Sequence, residues 1–255
     1  MKRISFAFML LAVTLAAKAV DLDYTQALGL QFGYANPVYR LNQPVETSDD
    51  KTALVATQLR GFKVGLVYDA SIWGGFGVMT GLNYTFAAHI SPWEEYAYDL
   101  EGKPIASGYA RPYEERYKYQ FHQLELFVDW QYKFEIARDT WIILYTGPTI
   151  QCVASYKQTN LLRMKATGEQ VRQKTIAYFD YSDEDIAHDL RRVNVTWGIG
   201  AGFQYDRYYL RGGYDFGLIN PYKFSNFNEV GMADRNTRGR LDQWQIKLGA
   251  YLWRQ

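Results

Sequence analysis

The stretch VTWGIGAGFQYDRYYLRGGYDFGL, residues 195–218, has two incompatible faces. From Val193 to Tyr205 the odd positions are Val, Val, Trp, Ile, Ala, Phe and Tyr. Between them stand Asn194, Thr196, Gly198, Gly200, Gly202 and Gln204. After Asp206-Arg207 the alternation resumes, with Tyr208, Leu210, Tyr214, Phe216 and Leu218 set against Arg211, Gly213, Asp215 and Gly217. A period of two puts each set on one face of a strand. One face is bulky and apolar, the other glycine, amide or charge.

The same alternation recurs along the chain. The apolar sets Leu28–Tyr34, Phe62–Tyr68, Phe76–Phe86, Leu124–Tyr132, Ile142–Cys152 and Trp244–Leu252 each face glycine or polar residues. With residues 193–206 and 207–219 they make eight strands. Short connections lie near 69–74, 135–140 and at Asp206-Arg207. Long ones run over about 36–57, 89–116, 155–191 and 220–240. Long and short alternate strictly, so in a meander all long loops emerge at one end. That is the layout of an outer-membrane barrel, with short periplasmic turns and long external loops.

The expected fold is therefore all-β: an eight-stranded antiparallel up-and-down transmembrane β-barrel. A soluble sandwich gives no reason for so much glycine on its wet face, where Gly costs about 0.5–1 kcal/mol relative to Ala. A lipocalin-like barrel would turn its apolar face inward, around a ligand. Aromatic residues cluster at both strand ends, as membrane interfaces require. Tyr68, Trp73, Trp130, Tyr132, Trp141, Tyr205, Tyr208 and Trp253 form the expected girdle at the short-turn end. Tyr34, Tyr84, Phe86, Phe216 and Trp244 lie at the other.

The N-terminus carries a leader pattern. Lys2 and Arg3 precede an apolar run that ends at Ala17-Lys18-Ala19. A basic start, a short apolar stretch and an A-x-A site read as a secretory signal peptide. Residues 1–19 are thus expected to be removed, leaving 20–255 as a single outer-membrane barrel domain. Lys2, Arg3 and Lys18 fall in the leader, so 25 of the 28 Lys and Arg remain against 27 Asp and Glu. That balance offers no concentrated basic face for nucleic acid. Cys152 is the lone cysteine, so an intramolecular disulfide is excluded.

Four segments resemble the PorT-like outer-membrane β-barrel family. YYLRGGYDFGLIN (208–220) resembles its seventh strand, and LELFVDWQYKF (124–134) its fourth, with a glutamate amid apolar residues. YTGPTI (145–150) resembles the Gly-Pro of its fifth strand, and WGIGAGFQY (197–205) its sixth. Leu126-Phe127 stand where the family often has proline. The resemblance implies a small barrel in the bacterial outer membrane. Some members assist a protein-export and gliding machinery.

Other motifs fall away. GIGAGF (198–203) lacks the following helix that a dinucleotide fingerprint needs. His89, His122 and His188 form no triad-like grouping, and His122 and Glu125 fall on opposite faces of one strand, so no catalytic residue is expected. No cofactor or metal is expected either. The third loop places Lys157, Arg163, Lys165, Arg172 and Lys174 before an acidic run, Asp180–Asp189. That run suits either a solvated loop attracted to the basic half or a divalent cation.

Eight strands enclose a lumen only wide enough for side chains. Lys63, Glu125, Asp129, Arg211, Asp215 and Lys247 fall on its face, three bases and three acids, and are expected to form one ion network that plugs it. The functional expectation is a non-enzymatic barrel with outer-membrane lipid around it. It would work through external loops that take a ligand, or as a component or accessory of an envelope secretion complex. A small-solute pore and a lipid-modifying enzyme are the rivals.

Overall fold

The structure, a computed structural model, describes residues 25–41, 58–101, 103–106, 109–179, 190–221 and 239–254. The expected leader, 1–19, and the acidic run 180–189 lie outside the described residues. The described residues form ten strands: β1 (Thr25–Leu41), β2 (Arg60–Trp73), β3 (Phe76–Ile90), β4 (Glu94–Glu95), β5 (Tyr113–Ala137), β6 (Thr140–Met164), β7 (Gln170–Ala177), β8 (Val193–Tyr205), β9 (Tyr208–Gly217) and β10 (Gly239–Arg254). Eight of them close a ring in the order β1-β2-β3-β5-β6-β8-β9-β10, and β10 pairs back onto β1. Every pairing is antiparallel. The fold is the up-and-down barrel that the alternation requires.

Closure removes every edge within the ring, so the backbone is satisfied without water. Three tight turns close one end: Gly74-Gly75, Arg138-Asp139 and Asp206-Arg207. Gly74 and Gly75 both have positive φ (52° and 88°), the geometry of a type I′ hairpin. Asp139 and Asp206 supply the left-handed residue at the other two turns, a position that aspartate tolerates better than most side chains.

The outward face is apolar. Leu30, Phe32, Leu66, Leu82, Leu126, Leu144, Ile199, Leu210 and Leu248 are each 45–62% exposed. Around a closed barrel this band is the lipid-contacting surface. The inward face buries Gln31, Lys63, Asp69, Gln123, Glu125, Asp129, Arg211, Asp215 and Lys247.

Two of the expected long loops turn out to be partly sheet. β5 begins at Tyr113 and β6 runs to Met164, 25 residues each. β7 pairs with β6, and β4 with β5, so a four-stranded sheet β4-β5-β6-β7 rises beyond the ring. Its strands lie past the hydrocarbon band, so the apolar-to-small alternation stops while the hydrogen-bonded ladder continues. A register shift adds to the effect. His122 pairs with Ser155 but Gln123 pairs with Val153, which leaves Ala154 as an extra residue. Beyond that bulge, even positions of β6 face inward, beginning with Tyr156.

Orientation is testable by labelling. In a Cys152→Ser background, a cysteine at Thr167, in the β6–β7 turn, should react with an impermeant maleimide on whole cells. One at Arg207 should not. The reverse pattern would overturn the topology.

Candidate functional site

The lumen is where charge, burial and wall geometry converge, and it is built in tiers. At the short-turn end Asp69 is the hub. Gln131 Nε2 donates to its Oδ1 at 2.6 Å, Lys133 Nζ to its Oδ2 at 2.7 Å, and the Tyr251 hydroxyl to the same Oδ2. A cavity of about 160 Å³ opens beside this hub, lined in part by Gln26, Lys133, Trp141, Gln204 and Arg254.

The next tier centres on Arg211. Its Nη2 donates to Asp129 Oδ2 at 2.8 Å, and its guanidinium carbon lies 3.7 Å from the centre of the Tyr145 ring. Lys247 forms no ion pair among the described residues. Its ammonium lies 5.0 Å from the Phe127 ring centre and 6.0 Å from that of Tyr145, within cation–π range.

Above it sits an amide-rich tier. Lys63 Nζ donates to Glu125 Oε2 and to Gln245 Oε1, both at 2.5 Å. Glu125 Oε1 also accepts from Gln123 at 2.7 Å, Gln243 at 3.1 Å and Thr85 at 3.2 Å. Asp215 Oδ2 accepts from Gln245 at 2.9 Å. Burying such groups is costly unless each charge is paired and hydrogen-bonded. Here the glutamines supply the bonds that ion pairing alone leaves unmade.

An aromatic lid closes the long-loop end. Tyr156 stacks on Tyr39 (5.6 Å), Tyr178 (4.9 Å) and Tyr119 (6.3 Å), and meets Phe121 edge-on at 5.9 Å. Leu59, Ala87, Val153, Phe179, Leu190 and Leu241 complete the cluster.

The glycines of the opening stretch now have a physical role. A Cβ at Gly200 or at Gly213 would strike the Tyr145 ring, and one at Gly249 would strike that of Tyr209. Inward rings lie flat against wall positions that have no side chain. In a lumen this narrow, a large residue on one strand requires a missing one on its neighbour.

All six residues expected in the lumen are inside and buried. They do not form one hydrogen-bonded set. Lys63, Glu125 and Asp215 are joined through Gln243 and Gln245, Arg211 pairs with Asp129 in the tier below, and Lys247 faces rings. Pairing follows strand stagger, which residue type does not encode. Asp69 and Lys133 were missed although both continue the inward parity of their strands, because the expected second and fourth strands stopped one residue short. Five lid residues, Tyr39, Tyr156, Tyr178, Phe179 and Leu190, fall in the expected loops, and the others flank the ends of the expected strands.

The expected girdle needs one correction. Trp141 shares the inward parity of Ile143 and Tyr145, lines the periplasmic mouth, and has Arg254 5.3 Å from its ring centre. It does not face lipid. Trp253 is the opposite case. A register shift sets it against lipid-facing Leu28 while Tyr251 pairs with Gly29, so this odd-numbered residue turns outward. Tyr68, Trp73, Trp130, Tyr132, Tyr205 and Tyr208 lie on the outer wall or at its turns, and Trp130 packs against Trp197 at 5.6 Å.

His122 points outward, with Nδ1 2.6 Å from the Tyr84 hydroxyl, so the barrel wall separates it from Glu125. His188 lies outside the described residues. On the external sheet Lys165 Nζ donates to Glu95 Oε1 at 2.7 Å, and that contact holds the Glu95 carboxyl below the usual carboxylate range.

A closed ring with an apolar exterior and a charged interior defines a transmembrane β-barrel, and this protein is an integral protein of the bacterial outer membrane. No protein-family model matches the sequence, and no curated protein matches it. Solved structures similar to it are small outer-membrane barrels. Neisserial surface protein A is similar over 89% of this chain and 97% of its own, at 10% identity and a TM-score of 0.40. Ail, the attachment invasion locus protein of Yersinia pestis, in complex with the heparin analogue sucrose octasulfate, is similar over 92% and 100%, at 10% identity and 0.34. The outer membrane protease OmpT from Escherichia coli is similar over 90% and 96%, at 10% identity and 0.34. The assignment here rests on the ring and its two faces, not on these likenesses.

Proposed function

We propose that this protein is a non-enzymatic barrel, closed to solutes, that works through its external sheet or by docking to an envelope complex. The observation that carries the reading is the filled lumen. Three polar tiers and an aromatic lid occupy the path that a solute would take. The charged tiers are plug residues in this reading, with no reacting group among them.

The external sheet offers the working surface. Trp93 lies between two guanidiniums, Arg116 at 4.4 Å and Arg163 at 4.0 Å from its ring centre, and Arg163 also pairs with Glu114 at 2.8 Å. Aromatic and arginine side chains held this way are typical of protein contact surfaces. The likeness of residues 124–134, 145–150, 197–205 and 208–220 to the PorT-like family favours a partner in an export or other envelope complex. On this reading residues 1–19 direct export, and the mature chain starts at Val20.

Planar-bilayer recording tests it. The purified barrel should give no stable conductance steps, whereas well-defined open-channel steps would make it a pore. Unchanged lipid A with and without the protein is the matching expectation against a lipid-modifying enzyme.

A further inference from the structure

The outer wall just beyond the long-loop girdle carries an excess of positive charge. Arg40, Arg60, Lys118, Lys157 and Arg240 are all on the outward face there, and all but Arg240 are largely exposed. Arg60 pairs with Ala88, Ala88 with Gln120, and Gln120 with Lys157, so two of these cations share one row across four strands. Lys118 lies two residues from Gln120 on the same face. Within segments 36–40, 58–60, 86–90, 118–122, 154–158 and 240–244, Asp242 is the one carboxylate.

Arg40 and Arg240 stand directly opposite each other on β1 and β10. Like charges in that position repel. Both nitrogens approach Asp242 Oδ2, Arg240 Nε at 2.9 Å and Arg40 Nε at 3.4 Å. Asp242 is itself buried and already accepts from the Tyr214 hydroxyl at 2.9 Å and the Gly217 amide at 3.0 Å. One carboxylate therefore serves two guanidiniums and two other donors. The cluster keeps a net positive charge, and both guanidinium side chains remain 43–48% exposed.

Position indicates what neutralises it. Tyr34 and Trp244 pack at 4.9 Å on the same outer wall and mark the membrane interface. Arg240 is four residues beyond Trp244, roughly 10 Å along the barrel axis for a tilted strand. That is the headgroup zone, and long arginine side chains can lean back toward it. Guanidiniums bind phosphate bidentately. We propose that Arg40 and Arg240, held by Asp242, bind the phosphate of an anionic lipid headgroup in the outer leaflet, and that Arg60, Lys118 and Lys157 extend this contact around the rim.

Native mass spectrometry of the full barrel tests the proposal, with dodecyl maltoside micelles doped with phosphorylated lipid A, with phosphatidylcholine, or with inorganic phosphate. Retained lipid A adducts are expected, with far fewer from phosphatidylcholine. Arg40→Gln/Arg240→Gln should cut lipid A retention roughly tenfold or more, as removal of two cations near an anionic surface implies. Arg172→Gln/Lys174→Gln, on the external sheet, should leave retention unchanged. Heat-modifiable gel mobility shows whether each variant is folded. If the rim pair folds poorly, Arg60→Gln/Lys157→Gln must show the same directional loss. Equal retention of phosphatidylcholine, or full retention by a folded rim variant, would overturn the proposal. So would competition by inorganic phosphate at the lipid's own concentration, which would mean an anion site without lipid selectivity.

Discussion

Replacing Glu125 by alanine should lower the unfolding free energy in detergent by about 3–5 kcal/mol, because it leaves Lys63 buried and unpaired. The Lys63 ammonium is sealed at 0% side-chain exposure and would keep Gln245 as its remaining hydrogen-bond acceptor. Gln123, Gln243 and Thr85 would lose an acceptor as well. The matched control is Glu101→Ala. Glu101 pairs with Lys103 at 2.7 Å, but both side chains are more than 70% exposed. Its loss should change stability by no more than about 0.5 kcal/mol. A double replacement, Lys63→Met with Glu125→Leu, removes both charges together and should cost far less than Glu125→Ala alone. Equal stability of the Glu125 and Glu101 variants would refute the buried network.

The Tyr156→Ala barrel should be destabilised by a similar amount, about 3–5 kcal/mol for loss of a buried aromatic side chain. Tyr156 sits at the centre of the lid, with ring contacts to Tyr39, Tyr119, Phe121 and Tyr178. Tyr109→Ala is the control, since Tyr109 is 74% exposed. It should stay within about 0.5 kcal/mol of the parent. The same variant separates the two seals. The polar tiers lie below the lid and keep their partners, so Tyr156→Ala should still give no conductance steps. A Tyr156→Ala barrel as stable as the Tyr109 variant would show that the lid is not a packed element. Stable channel openings would show that the lid alone closes the barrel.

Legibility differed sharply between parts of the molecule. Ring strands were readable because lipid on one side and a crowded lumen on the other impose two different demands on successive residues. Gly198, Gly200 and Gly202 against Trp197, Ile199 and Ala201 record that demand directly. The extensions of β5 and β6 rise past the hydrocarbon band, so residues 113–116 and 156–164, which fall in the expected loops 89–116 and 155–191, carry no such record. Trp141 departs from the expected girdle, and Trp253 keeps to it, for a related reason. A tryptophan near a strand end suggests a girdle, but parity and a local register shift decide which side of the wall it occupies.

The sequence by itself determined the barrel, its strand order, which end bears the long loops, and that Lys63, Glu125, Asp129, Arg211, Asp215 and Lys247 enter the lumen. Each of these follows from a period of two and from connection lengths, which are local properties of the chain. Only the tertiary structure decided that Lys63 meets Glu125, that Arg211 meets Asp129, and that Lys247 faces Phe127 and Tyr145 instead of a carboxylate. It also decided that Tyr145 lies over Gly200 and Gly213, and that Tyr156 turns inward past Ala154 to build the lid. These contacts join residues that are tens to hundreds of positions apart. They depend on the stagger of eight strands around a closed ring and on one-residue bulges, and alternation within any single strand is blind to both.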